Sequence, residues 1–240
     1  MIVQSKAVTP CGCMRMRIYG VCFFLKYKFP SRHMQKRKIV AIATVVSVIL
    51  IDQIIKVAVK TNYMLHDYTE VAPWFRITFT ENEGMAFGMS VVGTWALTLF
   101  RLVAIGFFCV YTARCIKRLR PMGLIVCVAL IMAGAAGIVI DNCLYGLIFT
   151  ESTPYEVAQL VPIGEGYGSF LSGRVVDMFY FPFFRFPESI PLVGGRMFFS
   201  AVFNFADAAI SCGAVALLLF YYRTLSNSPS DEKHTEKVAG

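Results

Sequence analysis

Phe203-Asn204-Phe205-Ala206-Asp207-Ala208-Ala209-Ile210 opens the last long apolar run of this chain, which continues through Leu217-Leu218-Leu219-Phe220 to Tyr222. An ionisable side chain at the mouth of a membrane-length helix is costly, and the default reading of such a residue is functional. A second acid stands upstream, in Gly173-Arg174-Val175-Val176-Asp177. Two neighbouring carboxylates cannot both ionise cheaply, so a pair shares one proton. The ionised member can take a proton from water while the protonated member polarises a carbonyl. That chemistry suits amide hydrolysis, and it requires Asp177 and Asp207 to meet.

Working outward, the composition sets the class. Of the 240 residues 57% are hydrophobic and only 16% charged, too apolar for a soluble domain with a charged surface. A hydrocarbon core takes about 20 helical residues to cross, and runs at 39–59, 91–113, 122–140 and 200–222 are long enough. The expected fold is an α-helical polytopic membrane protein. It has four transmembrane helices, a small extracytoplasmic β-containing segment and an interfacial loop.

The net charge of +8 is placed rather than spread. Lys26, Lys28, Arg32, Lys36, Arg37 and Lys38 precede the first run, and Arg114, Lys117, Arg118 and Arg120 fill the link between runs two and three. Arg223 follows run four, whereas 61–90 has Arg76 against Asp67, Glu70, Glu81 and Glu83. The positive-inside rule then puts both termini in the cytoplasm and the 61–90 and 150–199 connectors outside. The bias reads as topology, not as nucleic-acid binding.

Eight cysteines are scattered without C-x-x-C spacing, and His33, His66 and His234 lie far apart. Structural thiols are the plain reading, and no metal site is expected. Residues 1–37 are basic, with an apolar patch at 19–25 too short to span. They are expected to be a dispensable or disordered extension, since Met34 is a natural start for a helix opening at Ile39. The membrane domain is then 38–222, followed by a polar cytoplasmic tail, 223–240.

Asp52 and Lys56 are spaced i, i+4 and share a helix face. An inward pair bracing a site is favoured over an interfacial pair in which Lys56 and Lys60 snorkel to headgroups. In 71–80, Arg76, Thr78 and Thr80 alternate with Phe75, Ile77 and Phe79, which predicts a strand at the interface, and Trp74 is placed like an aromatic-belt residue. Arg101 stands mid-run with no partner assigned. In run three, Ala133 and Gly137 form a small-xxx-small face for close packing, and Asp141 is read as an acid at the outer end of that helix. The 150–199 connector is long, glycine-broken at Gly164, Gly166, Gly168 and Gly173, and aromatic after Asp177.

These blocks together resemble the lipoprotein signal peptidase family, signal peptidase II, over about residues 38–222. The resemblance is carried by Asp52 with Lys56, Asn82-Glu83-Gly84-Met85-Ala86-Phe87-Gly88, Gly137 with Asp141, Val175-Val176-Asp177, and Phe203-Asn204-Phe205-Ala206-Asp207. It implies an aspartic endopeptidase that cleaves diacylglyceryl-modified prolipoproteins before the lipidated cysteine and is inhibited by globomycin. It implies Asp177 and Asp207 as the catalytic dyad. Asp52, Lys56, Asn82, Gly84, Ala86, Asp141, Asn204 and Ala206 would support the site or the substrate. A monomer in the bacterial inner membrane is expected, in contact with membrane lipids, working at the extracytoplasmic side without metal or organic cofactor. The chain departs from the family's usual Gly-Asn-x-x-Asp-Arg block: Ile138 stands for the Asn and Asn142 for the Arg. The connector between Asp141 and Asp177 is also longer than usual. A small proton-coupled transporter or channel using membrane acids is the alternative from another class. Its acids, however, would line a path across the bilayer rather than gather near helix ends.

Overall fold

The computed structural model describes residues 14–18, 21–25, 31–82, 94–192 and 194–226. Four helices are long and apolar enough to cross a membrane: α1 (Arg32–Lys60), α2 (Thr94–Lys117), α3 (Met122–Ile148) and α4 (Phe205–Ser226). Two sheets accompany them. β1 (Met14–Ile18) and β2 (Val21–Leu25) form an antiparallel hairpin. β3 (Tyr68–Ala72), β4 (Phe75–Asn82), β5 (Val175–Tyr180) and β6 (Val202–Phe203) form an antiparallel sheet in that spatial order.

The helices run past the apolar runs that announce them. α1 starts at Arg32 rather than Ile39, because Ser31 caps it by accepting from the Met34 amide at 3.4 Å. α3 continues two turns beyond Asp141 to Ile148, so Asp141 lies inside a helix and not at its outer end, as the hydropathy suggested. Hydropathy marks the thickness of the apolar layer, not where backbone hydrogen bonding stops.

α3 is the central helix, packed by the other three, and its small residues explain why. A Cβ on Gly134 would lie 2.4 Å from the Ala206 carbonyl oxygen and 2.6 Å from Ile210 Cγ1, so α3 and α4 touch at backbone distance. Ala133, Val48 and Ala209 form one buried cluster between α1, α3 and α4. The outer faces of α1, α2 and α4 present Ile42, Phe100, Phe107 and Phe220 outward, as lipid-facing surfaces do.

The sheet closes one end of the bundle. β4 forms where a strand was expected, with Phe79 fully buried against Val59, Tyr145, Phe149, Val176 and Met178 and the rest of the strand half-buried. Trp74 stacks on Phe75 and Phe181, whose rings lead to Phe183 and Phe203 in a continuous aromatic layer. The first part of the long connector wraps the end of α3. Amides of Gly168, Gly164 and Val161 donate to the carbonyls of Gly146, Leu147 and Ile148 at 2.8, 3.0 and 2.9 Å. These carbonyls have no partner within a helix that ends there, so the connector serves as its C-terminal cap. Gly166 is needed in that wrap, since a Cβ there would sit 2.2 Å from the Gly146 oxygen.

Candidate active site

The site forms where β5 and β6 hand the chain to α4. Phe179 pairs with Phe203 and Tyr180 with Val202, which sets β6 beside the strand that carries Asp177. One residue, Asn204, separates β6 from α4. Its side-chain oxygen accepts from the Asp207 amide at 2.9 Å, while its own amide donates to Asp207 Oδ2 at 3.4 Å. This reciprocal arrangement is a capping box with Asn at N-cap and Asp at N3. The Asn204 side-chain amide donates in turn to Asp177 Oδ1 at 2.6 Å. A single asparagine thus holds both acids, and the positive end of the α4 dipole favours the Asp207 carboxylate there.

Asp177 has a second donor. Asn82, at the end of β4, donates through Nδ2 to Asp177 Oδ2. The register of β4 on β5, Thr80 opposite Asp177 and Asn82 opposite Val175, brings that side chain into reach. Asp177 is only 3% exposed. Burial first, and then the charge of Asp207, push its carboxyl up from 3.8 to about 7, against the opposing pull of the Asn204 and Asn82 hydrogen bonds. An acid so poised exchanges its proton near neutrality.

Beneath the pair lies a fully buried ionic layer. Lys56 Nζ stands 2.8 Å from Asp52 Oδ2 and 2.6 Å from Asp141 Oδ2. Asp52 Oδ1 accepts from the Ala206 amide at 2.9 Å, so α1 caps the α4 terminus that carries Asp207. Gln53 donates to Asp141 Oδ1 at 2.8 Å, and Tyr145 donates to Gln53 Oε1 at 3.2 Å. Asp52 and Lys56 are therefore the inward bracing pair. Gly137 leaves room for it, since a Cβ there would lie 2.7 Å from Asp52 Oδ2. Gly84 and Ala86 lie outside the described residues.

Three features were not legible in the sequence. Arg101, left without a partner, donates through Nη1 to Asn142 Oδ1 at 3.3 Å. Asn142 also donates to the Gly173 carbonyl at 2.8 Å and accepts from Thr98 at 3.2 Å. The residue standing where the family usually has Arg thus ties α2, α3 and the strand approach together. Lys60, readable as a snorkelling cation, is fully buried and pairs with Glu81, the neighbour of Asn82. Ser152 donates to Glu81 at 2.7 Å, and rings of Phe79, Phe149 and Tyr167 lie 5.8, 5.3 and 5.2 Å from the Lys60 ammonium. Hydropathy could not show this, because Ser152 and Tyr167 come from the distant connector. Of the cysteines, Cys115 and Cys127 are buried, while Cys109 and Cys212 are exposed on the helices. Among the described residues no cluster of His, Cys, Asp and Glu has the geometry to hold a metal ion.

Comparison with known proteins agrees with this architecture. A solved bacterial membrane enzyme is similar in fold, with a TM-score of 0.51 at 21% identity, covering 78% of this chain and 90% of that one. A lipoprotein signal peptidase of Porphyromonas gingivalis is 47% identical over 79% of this chain and 85% of its own length. One of Amoebophilus asiaticus is 30% identical over 79% of this chain and 80% of its own. The family model for signal peptidase (SPase) II matches residues 44–223, from within α1 to near the end of α4, and the chain belongs to that family.

Proposed function

We propose that this protein is an aspartic endopeptidase that removes signal peptides from diacylglyceryl-modified prolipoproteins, cleaving before the lipidated cysteine. The observation that carries the reading is the Asn204 bridge, which ties Asp177 and Asp207 together at the membrane edge. The dyad works with one proton. The ionised carboxylate takes a proton from water as the oxygen attacks the scissile carbonyl carbon. The protonated carboxyl donates a hydrogen bond to the carbonyl oxygen as negative charge develops there. Collapse of the tetrahedral intermediate breaks the C–N bond, and the proton taken from water passes to the leaving amine. One new carboxyl group and one amine result, and the dyad returns to its starting charge.

The remaining site residues have supporting parts in this scheme. Asn82 and Asn204 orient Asp177, and Asp52 holds the Ala206 amide and with it the first turn of α4. Lys56 balances Asp52 and Asp141. Family resemblance assigns Gly84 and Ala86 to supporting the site or the substrate. In this reading the enzyme acts as a monomer among membrane lipids, and the placement of its basic residues supports both termini in the cytoplasm and the sheet at the extracytoplasmic side. The test is processing of a lipidated precursor by the reconstituted protein. Asp177→Asn and Asp207→Asn are each expected to insert normally and to cleave nothing. Substantial cleavage by either one rejects the dyad.

A further inference from the structure

At the far end of the bundle from the sheet, α1 and α2 barely touch, because both pack on α3 instead. They leave a groove of about 520 Å³ between them, walled by Ala41, Val45 and Ile116. Lys38 of α1 and Lys117, the last residue of α2, line its mouth. Neither lysine makes a hydrogen bond or ion pair among the described residues. Their neighbour Arg37 is committed elsewhere, donating to the Arg120 and Leu119 carbonyls at 3.1 and 3.3 Å. No Asp or Glu occurs in α2, in the 118–121 link or in α1 before Asp52, so among the described residues this end carries one sign of charge.

Thr112 gives the groove a polar point partway down. It is 6% exposed, and its hydroxyl has no hydrogen-bond partner among the described residues. A buried hydroxyl left so is costly and wants an acceptor. It lies five residues before Lys117, about 7.5 Å along the helix, the depth of a glycerol ester beneath its phosphate.

We propose that this groove binds one anionic glycerophospholipid. Lys38 and Lys117 take the phosphate, the Thr112 hydroxyl donates to an acyl ester carbonyl, and one acyl chain lies along Ala41, Val45 and Ile116. Basic pockets between helices at the cytoplasmic side hold acidic lipid headgroups in this manner. The site is remote from the dyad and does not depend on the peptidase reading.

Native mass spectrometry of the detergent-purified full chain tests it, with phosphatidylglycerol and phosphatidylcholine of matched acyl chains. Each lysine is worth about fivefold in favour of the acidic lipid, so the wild type is expected to retain one phosphatidylglycerol with about twenty-fivefold preference. Lys38→Gln combined with Lys117→Gln reduces that preference to near unity, and Ala113→Trp, which fills the groove, lowers retention of both lipids. A second measurement needs no variant. Cys109 lines the same groove, and Cys212 on α4 is exposed but does not line it. Phosphatidylglycerol should slow maleimide labelling of Cys109 and leave Cys212 unchanged, while inorganic phosphate alone slows neither. Equal retention of the two lipids, a preference indifferent to the double substitution, or Cys109 labelling unaffected by phosphatidylglycerol overturns the proposal.

Discussion

Replacing Asn204 by Ala is the sharpest test of how the two acids are held. The change deletes the 2.6 Å bond to Asp177 and the 2.9 Å cap on the Asp207 amide, and leaves the backbone in place. A hydrogen bond to an ionised carboxylate is worth about 1.5–3 kcal/mol, and a helix cap about 1 kcal/mol. The first of these stabilises only the charged form of Asp177. One pH unit corresponds to about 1.36 kcal/mol, so losing that bond raises the Asp177 carboxyl by about one to two units above its already elevated position. The pair titrates jointly, so the expected sign is an upward move of the alkaline limb of kcat/KM by at least about one unit. A carboxylate no longer locked in orientation also loses rate, by about tenfold to a hundredfold. The assay is kcat/KM against pH with a lipidated precursor, alongside a melting curve in detergent to track the lost cap. A pH profile that overlays the wild type while activity falls would mean that Asn204 only supports the fold, and the account of the bridge would be wrong.

Other outcomes follow from the same geometry. Asp177 sits near 7 in the folded chain and near 3.8 when freed, so the fold holds an extra proton across that window. Stability should therefore fall as pH rises from about 4 to about 7, by up to about 4 kcal/mol, and level off above. The difference in Tm between wild type and Asp177→Asn, measured across this range, should trace that curve, and a flat difference refutes it. Lys56→Met leaves Asp52 and Asp141 facing each other without a cation and should cost about 3–5 kcal/mol. Adding Asp52→Asn and Asp141→Asn should restore at least half of the lost thermal stability, and no recovery argues against the ion-pair explanation. Gly134→Ala should destabilise more than Gly137→Ala, because the new methyl group meets the Ala206 backbone in the first case and a carboxylate that can turn in the second. The Gly137 variant should instead lose activity, about tenfold or more, as Asp52 is pushed from the Ala206 amide. The reverse ranking in thermal melts would contradict the packing described.

The four spans and the strand at 75–82 were legible from their patterns of apolar residues, and Asp207 drew notice because it breaks the rule of its surroundings. A long apolar run has one economical fold in lipid, and Asp207 at its mouth stands out against it. Asp52 with Lys56 was legible from i, i+4 spacing alone. Lys60 was not, since a lysine one turn further along is equally at home in headgroups. Only the connector, returning to cap α3, encloses it. Asn142 stands in the sequence only as a departure from the family's usual Arg. In the fold its side-chain amide serves Thr98, Arg101 and Gly173 at once, which no spacing rule encodes. Asp141 looked terminal because apolarity ends near it, yet helical hydrogen bonding needs no apolar side chains and runs on to Ile148.

The joint between β6 and α4 has a bearing on how such chains can diverge. Asn204 is the sole residue between a strand held in register and a helix whose first amides are claimed by Asp52 and by Asn204 itself. One residue inserted there would swing Asp207 by about 100° around the helix axis and carry it away from its partner acid. A change of chain length is therefore tolerated elsewhere sooner than at this joint. Whatever else in the scaffold changes length, the joint between strand and helix stays fixed at a single residue.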